Sequence, residues 1–266
     1  MSYAFDELRG LASRMGSEIS DRDLVVRYAC ALVAELAYHH VPAFEIDDQK
    51  RAIVIPCEGF RAIVARGVPT DVLAYLQQRD FKNVFVVVER GIVAVGIVLN
   101  RLLFVGFRGT IFLFDWKINL TAPLAQIGAG FNGRSSIRLL SGRAHQGFAE
   151  EAVRISARLM DEIRNLKEDI DHVFLAGHSL GGAVAALSER FLGIRAVSTC
   201  MFGSPRYCDI SWYYTSSEGP PTQVQRPGDI VPYIPPRRLG YADHPYQFNT
   251  DGGSVIDPHS PDEYEL

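Results

Sequence analysis

Cysteine is scarce in this chain: Cys30, Cys57, Cys200 and Cys208 are the only four in 266 residues. None is spaced as C-x-x-C, and no Cys/His group has zinc-finger spacing, so neither a metal finger nor a small disulfide scaffold is encoded. The four read as buried or free thiols, with a disulfide left open. Excess positive charge is missing too. Lys and Arg number 27 against 31 Asp and Glu, a net charge of −4, which argues against nucleic acid as a partner. The nearest basic cluster, Arg237-Arg238, reads as a solvated surface pair. No apolar run approaches the roughly 18 residues of a transmembrane segment. The greasiest stretch, Val84 to Phe114, is cut by Glu89-Arg90, Arg101 and Arg108, as successive buried strands would be. The start, MSYAFDELRGLASRM, lacks a basic segment followed by an apolar run, so no signal peptide is read there. The expected location is cytoplasmic, or exported without a signal peptide. With no H-E-x-x-H and no ligand cluster, no cofactor and no metal are expected.

What is present is an ordinary globular composition, 47% hydrophobic and 22% charged, at a length that suits a single α/β domain over residues 1–266. Leu24 to Tyr38 reads as a largely buried helix ended near His39-His40 and Pro42, and Asp71–Gln77 as a second helix. Ala52–Pro56 and Arg61–Ala65 are short strand candidates. Val84–Val88, Ile92–Leu99 and Leu102–Phe107 are β-rich runs joined by hairpin turns. Thr121 to Arg143 is expected to be loop. Its Gly128–Gly133 segment is a formal G-x-G-x-x-G, but no strand enters it and no helix leaves it, so the dinucleotide reading is rejected. Ala149 to Lys167 is an amphipathic helix with Ala152, Ile155, Leu159, Ile163 and Leu166 as its stripe. Strands are expected at Val173–Ala176, Ala196–Phe202 and Thr222–Arg226, with a last hairpin of Tyr246–Thr250 and Ser254–Ile256. Alternating strands and helices point to an α/β sheet.

The chemistry concentrates in FLAGHSLGGAVAAL, Phe174 to Leu187. Gly177-His178-Ser179-Leu180-Gly181 fits G-x-S-x-G, a pattern that alone arises by chance in about one chain in ten of this size. Its setting is more specific, because strand formers precede it and helix formers follow. A nucleophile elbow needs that context: the turn strains the serine, and the helix N-terminus aims N–H groups at the reacting centre. A serine hydroxyl also needs a base and an orienting carboxylate, in chain order Ser, Asp, His. Asp229, in a turn after a strand, is the best-placed acid; Asp209, Asp243, Asp251 and Asp257 compete from weaker contexts. The base is His244 or His259, the two histidines beyond Asp229.

Here the chain resembles the class 3 lipases, α/β-hydrolases of the fungal triacylglycerol lipase type. Phe107-Arg108-Gly109-Thr110, Asp115-Trp116 with Asn119-Leu120, and His145-Gln146-Gly147-Phe148 are similar to family motifs, in family order. So are Gly177–Gly182, Phe202-Gly203-Ser204-Pro205-Arg206, and Asp229-Ile230-Val231-Pro232 with Pro235-Pro236 and Gly240-Tyr241. The likeness runs from about Val84 to the C-terminus; the first 80 or so residues resemble nothing nameable and are expected to supply packing helices and edge strands. It implies a central, mostly parallel sheet flanked by helices, with an N-terminal helical/β extension. It implies Ser179 as nucleophile, Asp229 as triad acid, and N–H donors to the oxyanion from Thr110 and Leu180. It favours His259 as base, since His259, Ser260 and Tyr264 match a late family spacing, and leaves His244 as the alternative. Arg108, His145 and Arg206 are expected to be structural. Ile111, Phe112 and Phe114 are candidate substrate-facing side chains, forming either an apolar flap or buried core. Trp116 is carried with them, although a packed role weighs more for it. The implied activity is carboxylic ester hydrolysis, on lipid or other small esters, with possible transient contact at a lipid interface and no transmembrane segment. Phospholipase, feruloyl-type esterase and acyltransferase activities share this machinery. An inactive binding protein on the same fold is the rival from another class.

Overall fold

The computed structural model describes residues 10, 24–39, 72–78, 80–89, 92–109, 123–130, 137–214 and 219–250. Strands β1 (Val84–Glu89), β2 (Ile92–Leu99) and β3 (Leu102–Phe107) open the main sheet. It continues through β6 (His172–His178), β7 (Val197–Phe202), β8 (Thr222–Gln225) and β9 (Tyr246–Asn249). They lie side by side in the order β1-β2-β3-β6-β7-β8-β9. The first two pairings are antiparallel and the remaining four parallel. The turn between β2 and β3 sets both Asn100 (φ 49°) and Arg101 (φ 64°) in the left-handed region, as tight two-residue hairpins require.

Alternation along the central strands builds two cores. Leu103, Val105, Val173 and Leu175 face one side, where they meet Ala152, Ile155 and Leu159 of α3 (Gln146–Asn165) and Ala183 and Leu187 of α4 (Leu180–Leu192). Phe104, Phe174 and Ala176 face the other, against Ala29, Leu32, Val33 and Leu36 of α1 (Leu24–Tyr38). Both faces of the central strands β3 and β6 are covered, so their sequences read as nearly continuous apolar runs. Helix α1 therefore supplies a layer over the middle of the sheet. Gly106 makes this possible, because any side chain there would be driven into the backbone of Val33 and Ala34. A shorter helix, α2 (Val72–Gln77), packs near β1.

Two expectations change. Thr121–Arg143 is not loop throughout: β4 (Leu124–Gly130) and β5 (Ile137–His145) form an antiparallel ribbon beside the main sheet, with a register shift between Gln126 and Gly128. Glycine punctuation hid it, since a two-stranded ribbon with a bulge tolerates glycine where a central strand does not. The described part of the G-x-G-x-x-G, Gly128–Gly130, lies within β4 and not at a strand-to-helix turn. The helix expected at Ala149 begins a turn earlier, because His145 caps it. The His145 ring accepts the Phe148 N–H at 3.3 Å and stacks on the Phe148 ring at 3.8 Å. Histidine is not among the strong capping residues, so the sequence carries no start signal there. Ala52–Pro56, Arg61–Ala65 and Ser254–Ile256 lie outside the described residues.

Candidate active site

Strand β6 is hydrogen-bonded on both sides, to β3 and β7, and runs straight into α4 through one residue, Ser179. That residue has φ 56° and ψ −131°. Among the described residues the other non-glycine positive φ values, at Asp80, Asn100 and Arg101, sit in turns. Such angles cost about 1–3 kcal/mol and persist where the surroundings over-determine them. Here they do. The Ser179 N–H donates to the Phe202 carbonyl at 2.9 Å, and its carbonyl accepts the Gly182 N–H at 3.1 Å and the Ser204 hydroxyl at 2.8 Å. The glycines allow the close approach: a side chain at Gly177 would strike Gly181, and one at Gly181 would strike the backbone of Phe107 and Arg108.

Three parallel strands bring the other pieces to the same edge. At the end of β3, the Arg108 N–H bonds the Val93 carbonyl at 2.8 Å and its side chain is buried. A Cβ on Gly109 would sit 3.3 Å from the Ser179 Cβ, so the chain leaves toward Thr110 beside the serine. Thr110, Ile111, Phe112, Phe114 and Trp116 themselves lie outside the described residues. On the serine's other side, Leu180 opens α4, where first-turn N–H groups have no partner within the helix. Asp229 follows β8, separated from β6 by β7 alone. It is buried, its N–H bonds the Arg226 carbonyl at 3.1 Å, and its Oδ1 accepts the Val231 N–H at 2.9 Å. Strand β9 also ends at this edge, at Asn249. His259 lies further along, outside the described residues, as do Asp251 and Asp257.

The competing groups have other work. Asp209 caps the short helix α5 (Ile210–Tyr213), accepting the Trp212 N–H at 3.1 Å, and pairs with Arg143 at 3.1 Å. Asp243 takes the buried Arg206 guanidinium at 2.6 Å and also meets Arg237. Arg206 in addition donates to the carbonyls of Tyr233 and of Pro235, the latter at 3.0 Å, tying down the chain that follows Asp229. His244 is packed between Tyr207 and Tyr213, with Nδ1 2.8 Å from the Tyr213 hydroxyl. Desolvation lowers its pKa from 6.5 to about 4, and the nearby Arg206 charge adds to the drop. A neutral, enclosed imidazole suits a core histidine.

One neighbour was not visible in the sequence. Tyr38, at the end of α1, places its hydroxyl 2.9 Å from His178 Nδ1, although 140 residues separate them. The first described helix thus touches the elbow itself.

The family model of the class 3 lipases matches residues 104–239, about half of the chain, including Ser179 and Asp229. The chain belongs to the class 3 lipases. It is 30% identical over 210 residues to Phospholipase A1-II 4 of Oryza sativa subsp. japonica, covering 67% of this chain and 50% of that one. It is 26% identical over 170 residues to Secreted mono- and diacylglycerol lipase 1 of Fusarium solani, covering 61% and 48%. The chain thus spans about half the length of the curated relatives it matches. Among solved structures it is similar to the nonglycosylated LIP2 lipase of Yarrowia lipolytica, with a TM-score of 0.58 at 19% identity, covering 92% of this chain and 85% of that one. At that identity the likeness speaks for the fold, the α/β-hydrolase fold that the motifs implied. No helix among the described residues is long and apolar enough to cross a membrane.

Proposed function

We propose that this lipase-family chain hydrolyses carboxylic esters of lipids through a Ser179 acyl-enzyme. The carrying observation is the strained Ser179, φ 56°, held between β6 and α4 at the edge where β8 delivers Asp229. Unstrained, an ordinary helix-cap serine would need no such clamp. In the reaction His259 takes the Ser179 proton as the hydroxyl oxygen attacks the ester carbonyl. The N–H groups of Leu180 and Thr110 hold the resulting oxyanion. His259 then protonates the departing alcohol, and afterwards activates the water that releases the acid. Asp229 orients the imidazole and stabilises its charged form. A main sheet covered by helices on both faces supports treating residues 1–266 as a single catalytic domain.

The relative named a phospholipase A1 favours a second reading, in which the ester cleaved belongs to a glycerophospholipid. A panel of esters from short p-nitrophenyl acyls to triglycerides and phospholipids, run with wild type and Ser179→Ala, decides between them. Hydrolysis that disappears in Ser179→Ala is expected, and the preferred ester names the class. Undiminished turnover by the variant contradicts the mechanism.

A further inference from the structure

Ser179 shares a peptide plane with Leu180. In a trans peptide the carbonyl oxygen and the following N–H point in opposite directions, so whatever grips the Ser179 carbonyl also aims the Leu180 N–H. Part of the grip is the Gly182 N–H at 3.1 Å, and part comes from the turn after β7. Ser204, fully buried, donates its hydroxyl to the Ser179 carbonyl at 2.8 Å. Its own carbonyl is held by the Gln223 side-chain amide at 3.2 Å, and Gln223, on β8, is fully buried as well. Two residues earlier, the Phe202 carbonyl holds the Ser179 N–H at 2.9 Å. The nucleophile's backbone is therefore clamped on both sides by one short segment of a neighbouring strand.

We propose that Ser204, backed by Gln223, is a positioning residue that sets the direction of the Leu180 oxyanion donor. This rests on the ester-hydrolase reading above. The ψ angle of Ser179, −131°, is the torsion that turns the shared peptide plane. Without Ser204, that plane keeps the longer Gly182 contact but loses its shortest restraint, and it swings so that the Leu180 N–H leaves the line on which the oxyanion forms. The oxyanion exists in the transition state and not in the bound ester, so the loss falls on kcat and spares KM.

The test compares an oxygen ester with its thionoester, in which the carbonyl oxygen is replaced by sulfur. Sulfur accepts hydrogen bonds weakly, so the thionoester draws little from the oxyanion donors. In Ser204→Ala, kcat on the oxygen ester is expected to fall about ten- to a hundredfold with KM within about twofold, less than or equal to the loss of a whole donor. The ratio of ester to thionoester turnover falls by a similar factor. Gln223→Leu shifts the ratio in the same direction by less, and the double variant is no worse than Ser204→Ala, because both act on one linkage. An unchanged ratio in Ser204→Ala, whether or not turnover falls, overturns the proposal. If Ser204→Ala does not fold, the ratio in Gln223→Leu decides, and loss of folding in both variants makes the clamp a stability element and overturns it. A folded wild type that turns over neither substrate overturns the ester-hydrolase reading instead, and the positioning role with it.

Discussion

At the scale of single residues, His244 and His259 differ in what surrounds them and so in what their loss should do. His244 meets the Tyr213 hydroxyl and lies among buried groups with its pKa lowered to about 4. A folded-state pKa below the unfolded 6.5 means that the unfolded chain binds the proton first. The stability tied to His244 is therefore complete above pH 6.5 and is lost progressively as pH falls toward 4. At about 1.4 kcal/mol per pKa unit, the loss over some 2.5 units is of order 3 kcal/mol. Melting curves between pH 7 and pH 4 are expected to show this acid arm in wild type and a flatter one in His244→Gln; equal slopes would contradict it. His244→Ala should keep most turnover per folded molecule. His259→Ala should lose several orders of magnitude while remaining folded, and the reverse pattern would make His244 the base. The elbow was legible because its requirements are local: Ser179 and its glycines lie within six consecutive residues. Ser204, Gln223 and Tyr38 were not, since nothing in the spacing of residues 25, 19 or 140 positions apart records a hydrogen bond made by the tertiary fold.

Among the elements, strands β2 and β3 and helix α1 follow the sequence pattern to the residue, because apolar runs bounded by turn residues leave little choice of length. The ribbon β4–β5 escaped it, because glycines interrupt its strands and a register shift offsets them. The packing of α1 also lay beyond the pattern: a helix rich in alanine and valine declares that it is buried, not what it is buried against. Gly106 now makes that contact testable. Gly106→Ala would force α1 off β3, and overpacking of this kind costs about 1–3 kcal/mol. A lower urea midpoint with an unchanged slope is the expected result, and an unshifted midpoint would show that the helix moves freely. For Ile111–Phe114 the flap reading makes a separate prediction. Fully exposing four such side chains costs roughly 6–12 kcal/mol, so a flap stays closed in water and opens on lipid. Phe112 and Phe114 both changed to Ser should lose the preference for aggregated esters and retain hydrolysis of a short soluble one. Unfolding of that variant, with no rise in wild-type activity above the ester's solubility limit, would place the segment in the core.

For the molecule as a whole, the family match over residues 104–239 leaves out α1, β1, β2 and β9, yet α1 covers one face of the sheet across β2, β3, β6 and β7, and β9 carries the chain back to the serine edge. The function proposed therefore depends on how the complete chain frames one nucleophile. Reaction with a fluorophosphonate tests that most directly. The reagent phosphonylates an activated serine at the rate its triad and oxyanion donors allow, and the adduct can be located by peptide mass spectrometry. The account expects one adduct, on the peptide that contains Ser179, formed in the folded wild type, absent from Ser179→Ala and blocked by prior heat denaturation. An adduct elsewhere in the chain, or equal labelling of Ser179→Ala, would contradict it.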